Sequence, residues 1–178
     1  MSDLNFPNES AEYREARNKL LADEIALRRL IEAVAAQRRA LPPGGEVPED
    51  YLFERIGTNL MPEKVNMSKL FGRHQTLILY SFMYGPEREA PCPMCTHLLD
   101  SVNGGARHVA QRASLYIVAK SPIARLVAWA RGRGWDELTW APMDSGQHHR
   151  SGDAVNALCG FLDMTPEGRE QFMPKLTY

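Results

Sequence analysis

A chain of 178 residues, 44% hydrophobic and 24% charged, is long enough for one globular domain with an appended element. Its 21 basic and 22 acidic side chains nearly cancel, so it lacks the basic footprint of a nucleic-acid binder and the polybasic, apolar face of a membrane-surface protein. No run approaches the roughly 18 apolar residues of a membrane span, and the polar start has no apolar core of a signal peptide, so a cytoplasmic location is expected.

In chain order, the first element is a helix expected from about Ser10 to Arg39. Ser10 can cap it, and Tyr13, Ala16, Leu20, Leu27, Ile31 and Val34 recur at steps of three, four or seven residues, which gives one apolar face. Leu41-Pro42-Pro43-Gly44-Gly45 stops it. A helix of about 30 residues is long for a compact domain. Two uses for its apolar face are open, covering the core of its own domain or pairing with a second copy in a homodimer.

Residues 44–67 are rich in Pro, Gly and charge and read as an irregular connector with at most one short strand around Tyr51 to Phe53. Ser68 to Phe71 can form one helical turn, and Gly72 to Gln75 turns the chain. Thr76 to Tyr84 is then a near-continuous apolar and aromatic run, the pattern of a strand buried on both faces. Gly85-Pro86 ends it, and a loop leads to Cys92-Pro93-Met94-Cys95, which opens a helix running to Asn103-Gly104-Gly105. A short helix over Ala106 to Ala113 precedes a second buried strand, Ser114 to Ala119. Ser121-Pro122 reads as an N-cap and first-turn pair for a helix over Ile123 to Arg131. Strand, helix, strand, helix implies a parallel α/β unit. Beyond Gly134-Trp135, Asp136 to Asp153 is loop-like, and short helices are expected near Ala154 to Leu162 and after Thr165-Pro166. The domains are therefore expected as 1–43, an N-terminal helical extension; 44–67, a connector; 68–135, the core with the two cysteines; and 136–178, a tail with short helices.

The chemistry centres on Cys92 and Cys95. Three cysteines, two of them in one CxxC, do not form the dispersed, even framework of a secreted disulfide scaffold. A CxxC where a buried strand gives way to a helix places the first sulfur at the helix N-terminus, where free N–H groups and the dipole favour a thiolate. Cys92 is then the nucleophile, and Cys95, one turn inside the helix, resolves the mixed disulfide. No cofactor is required, although a reductant must recycle the pair. A zinc site competes with this reading but needs four ligands, the other two drawn from Cys159, His97, His108, His148 or His149 at no standard spacing. A buried, inert pair is the third reading. Cys159 lies in an apolar stretch and reads as a small buried residue, and Trp129, Trp135 and Trp140 read as packing residues.

The runs Leu70-Phe71-Gly72, Thr76 to Pro86, Pro91 to Cys95, Ala119-Lys120-Ser121-Pro122 and Gly134-Trp135 resemble the bacterial thioredoxin-like family catalogued as domain of unknown function 899. So do the segment Glu12 to Pro43 and the tail from Leu162 to Leu176. The resemblance implies a thioredoxin-like fold and a redox role through Cys92 and Cys95, with a protein or small-molecule thiol or disulfide as partner. This chain departs from the family pattern after Trp135. The strand and hairpin that complete a thioredoxin sheet, with a cis-proline beside the cysteines, are missing, and Ser121-Pro122 does not replace that proline because it precedes a helix. An incomplete sheet with one open edge is therefore expected. The function expected is thiol–disulfide exchange at the CPMC motif; the alternative is a non-catalytic, dimerising interaction module.

Overall fold

A computed structural model of the chain describes residues 5–57 and 59–142. It divides at Val47 and Pro48 into two compact units. The first holds helix α1 (Ala11–Arg39). Its start is fixed locally, since the Ser10 hydroxyl accepts from the Tyr13 N–H at 3.1 Å, and Glu9 pairs with Arg14 across the cap. None of the 29 residues of α1 is buried; Leu20, Leu27, Leu30 and Ile31 are all exposed.

The second unit opens with a hairpin where a connector is expected. Strands β1 (Leu52–Ile56) and β2 (Pro62–Asn66) pair antiparallel, with Phe53 opposite Val65. Only those two of the ten strand residues are fully buried, and the charges that disguise the segment are cross-strand partners: Arg55 with Glu63 at 2.6 Å and Glu54 with Lys64 at 3.6 Å. A single turn, α2 (Met67–Leu70), follows, and Asp50 accepts from both the N–H and the hydroxyl of Ser68 at its start.

The central unit is β3 (Leu77–Ser81), α3 (Pro93–Asn103), the short α4 (Ala106–Val109), β4 (Ser114–Val118) and α5 (Ile123–Arg133). Strands β3 and β4 are parallel, from Leu77 opposite Ser114 to Ser81 opposite Val118. The stretch expected to be loop-like contributes a third, minimal strand: Ile117 N–H donates to Thr139 O at 2.8 Å, and Ala141 N–H donates to Ile117 O at 2.9 Å. Because Ile117 spends both backbone groups there, residues 139–141 lie on the edge of β4 opposite β3. Strand β3 pairs with β4 alone among the described residues, which leaves its other edge without a described strand. That edge also explains why β3 is less buried than its apolar run suggests: Ile78 is 42% exposed.

Alternation along β3 sends Leu77 and Leu79 to one face, where they pack with Phe53, Val65, Leu70 and Ala141. Tyr80 and the following Phe82 join the other face, with Leu99, Ile117, Leu126, Trp135 and Trp140. At the end of α5, Gly134 adopts a left-handed φ of 68°, and Trp135 N–H turns back to Ala130 O at 2.9 Å. This reversal sets the Trp135 ring against Phe82 and Trp140, at centroid separations of 6.0 and 5.9 Å. Asp100 of α3 ties the layer together by accepting from Trp135 Nε1 at 2.8 Å and from Arg133 Nη2 at 2.8 Å. The three tryptophans are packing residues, with Trp129 edge-on to Tyr84.

Ser121 does not cap α5. Its hydroxyl is turned inward to Tyr84 O at 2.6 Å, Pro122 takes the cap position, and the Glu54 carboxylate reaches across to accept from Ile123 N–H at 3.3 Å. A tertiary partner has replaced the local one. The described residues contain no cis peptide bond and no helix long and apolar enough to cross a membrane. The tail expected to carry short helices, with Cys159, His148 and His149, lies outside the described residues.

Candidate functional site

Strand β3 runs out at Ser81, and the chain continues through Phe82 and Tyr84 into a loop that returns at Cys92. Two contacts fix the return. Cys92 N–H donates to Met83 O at 3.0 Å, and the guanidinium of Arg125 gathers the loop by donating to the carbonyls of Gly85 at 3.2 Å, Pro86 at 3.1 Å and Arg88. The same guanidinium lies 4.2 Å from the Tyr84 ring centroid. Arg125 is thus the brace of the loop that delivers the first cysteine.

Cys92 is the N-cap of α3 in extended conformation, and Pro93 opens the helix, where its missing N–H costs nothing. The helix is anchored at this end by Thr96, 1% exposed, whose N–H and hydroxyl both donate to Cys92 O at 3.0 Å. Cys95 lies one turn on. Both cysteines are unbridged and half-buried. The structure therefore brings the two expected residues together, at the strand-to-helix junction expected of them.

Tyr80 of β3 and Cys95 of α3 pack against the same buried cluster, and the Tyr80 side chain and the Met83 backbone both bear on the charge of the Cys95 thiol. Burial pushes the Cys95 thiol up, and the adjacent Cys92 adds to this, while Tyr80 and Met83 pull it down; the net direction is upward. Burial, followed by the nearness of Cys95, also drives the Tyr80 phenol well above its ordinary range. Tyr80 had one sequence signal: a tyrosine inside a buried strand needs a partner for its hydroxyl. Which partner depends on where α3 lands, and that is not local information.

His97, one turn into the same helix, is half-buried, and His108 is exposed on α4. Among the described residues no group of three or more His, Cys, Asp or Glu side chains is placed to hold a metal ion.

A mixed α/β protein with a two-cysteine site at the head of a helix is the class that fold and site define. The model of the family described as bacterial protein of unknown function (DUF899) matches residues 4–149, and the chain belongs to that family. No curated protein and no solved structure matches it.

Proposed function

We propose that this protein is a thioredoxin-like thiol–disulfide oxidoreductase, with Cys92 as attacking thiol and Cys95 as resolving thiol. The observation that carries this reading is the placement of Cys92 at the cap of α3, partly open to solvent, with the equally half-buried Cys95 one turn inside. The Cys92 thiolate attacks a protein or small-molecule disulfide, one substrate sulfur leaves as a thiol, and Cys95 displaces the other to close the Cys92–Cys95 bond. A dithiol reductant restores the pair, and no bound cofactor takes part. A cytoplasmic setting, where thiols are kept reduced, suits such recycling.

The test is thiol alkylation against a graded dithiothreitol series on the full chain, with metal content measured on the same sample. A reversible two-electron transition between about −270 and −180 mV is the expected result. Thiols that react only after unfolding sink the reading.

A second reading is favoured by α1, whose apolar residues Leu20, Leu27, Leu30 and Ile31 stand exposed. In it the protein is a non-catalytic module that pairs with a second copy through this helix. Its mark is a dimer in sedimentation that Leu27→Glu dissociates, combined with cysteines that do not cycle.

A further inference from the structure

Residues 86–90, on the way from the end of β3 to Cys92, are all exposed, so apolar burial does little to fix them and hydrogen bonds must set their course. The carbonyls of this stretch turn to three donors. That of Met83 accepts from Cys92 N–H at 3.0 Å, and that of Tyr84 from the buried Ser121 hydroxyl at 2.6 Å. The Arg125 guanidinium holds four more: Nη1 donates to Gly85 O at 3.2 Å and to Pro86 O at 3.1 Å, and Nη2 donates to Arg88 O and, at 3.4 Å, to Glu89 O. Its carbon lies 4.2 Å from the Tyr84 ring centroid, and Trp129, one turn further along α5, packs edge-on to the same ring. A planar fork that donates to several carbonyls at once imposes a curve on the chain that a single ammonium cannot.

We propose that Arg125 is the positioning residue for the attacking thiol: together with Ser121 it holds loop 84–91 in the course that brings Cys92 to the cap of α3. This rests on the exchange reading of the pair. A thiolate at a helix N-terminus gains from the unpaired N–H groups and the dipole only while it stays at the first turn. Downstream, Cys92 is tied to the helix by Thr96; upstream, its place is set by the loop alone. In the oxidised form the Cys92–Cys95 bond itself ties the sulfur to the helix, so the brace matters most to the reduced form. Loosening it therefore destabilises the reduced form selectively and makes the pair harder to reduce. Arg125 takes and gives no proton in this role.

Arg125→Lys in the full chain tests the assignment, because it keeps the charge and loses the fork. Two quantities are measured. One is the rate at which Cys92, left as the sole thiol by Cys95→Ser with Cys159→Ser, reacts near neutral pH with dithionitrobenzoate, a small aromatic disulfide. The other is the reduction potential of the intact pair against dithiothreitol. The rate is expected to fall about fivefold, the scale of a charge interacting with a helix N-terminus, and the potential to become more negative by about 20 mV, the same factor for a two-electron couple. A packing role alone lowers the unfolding midpoint of oxidised and reduced protein alike and moves neither quantity, so an unchanged rate and potential overturn the assignment. A faster rate overturns it too, since the loop would then only shield the sulfur. Should Arg125→Lys fail to fold, Ser121→Ala frees the Tyr84 carbonyl alone and is expected to shift both quantities the same way by a smaller factor; no shift overturns the assignment again. The two readings fail separately. A wild-type pair that never cycles against dithiothreitol removes the exchange reading, whereas a cycling pair whose rate and potential ignore Arg125 removes the positioning role alone.

Discussion

Helices α1 and α5 hold their shape for different reasons. Helix α1 has 29 residues and buries none, relying on the Ser10 cap, good helix formers and ion pairs such as Arg17 with Glu24 at 3.1 Å. Helix α5 has 11 residues, takes its N-terminal acceptor from Glu54 in a distant strand, and buries Ile123, Leu126 and Ala130. A long helix survives on many weak local terms, whereas a short one needs tertiary packing. The site follows the second pattern: beyond the local bonds from Thr96, Cys92 is placed by Met83 and by the loop that Arg125 gathers, contacts that exist only once the end of β3, α3 and α5 have come together.

The largest expected effect breaks the packed side of this comparison. Leu126 is 0% exposed, so Leu126→Ala is expected to cost about 2–5 kcal/mol in urea unfolding and to loosen the layer behind the cysteines. Leu27, 58% exposed, provides the contrast, and Leu27→Ala is expected to cost less than about 0.5 kcal/mol. A cost for Leu27→Ala that approaches that of Leu126→Ala and depends on protein concentration would show the α1 face covered by a second copy, and would move the balance toward the interaction reading.

The same division between local and tertiary order decides what could be read from the chain. Helix α1, the strands after Thr76 and Ser114, and the CxxC at a strand-to-helix junction depend on periodicity and near neighbours, and each is where the residues imply. The β1–β2 hairpin does not depend on them. It exposes most of its side chains and buries only Phe53 and Val65, so its alternation is drowned by charges whose partners lie on the facing strand. Ser121 has the chemistry of a cap, but the Tyr84 carbonyl claims its hydroxyl. Trp140 follows a turn signal and reads as loop, yet its backbone lies along β4. In the site, the cysteine pair was legible from spacing, while Arg125 acquires its role from a loop some 40 residues away in sequence.

A middle-sized effect sharpens the local side. Ser10→Ala removes the side-chain acceptor for Tyr13 N–H and is expected to destabilise the start of α1 by about 1 kcal/mol. Circular dichroism should show lost helix at the first turns, and the alkylation rates of Cys92 and Cys95 should stay as they were. Altered cysteine reactivity in this variant would mean that the order of α1 is not a local matter.

The smallest effect lies at the turn that leads from the hairpin to β3. The Asp50 carboxylate accepts from the Ser68 hydroxyl at 2.7 Å, the Ser68 N–H at 2.8 Å and the Asn66 side-chain amide at 3.1 Å. The Ser68 hydroxyl bond first, then the backbone N–H, hold its carboxyl below the ordinary aspartate value of 3.8. A group whose pKa is lowered by folding binds its proton more readily when unfolded, so its contribution is present above that ordinary value and disappears as the pH falls through the lowered one. Asp50 is an exposed acid, which keeps the contribution small. Asp50→Asn is therefore expected to leave a slightly shallower loss of stability on the acid side of about pH 4, measured as urea midpoints between neutral and acid pH. An acid limb identical to that of the parent would assign the turn to Asn66 and the backbone alone, with the Asp50 charge contributing nothing to it.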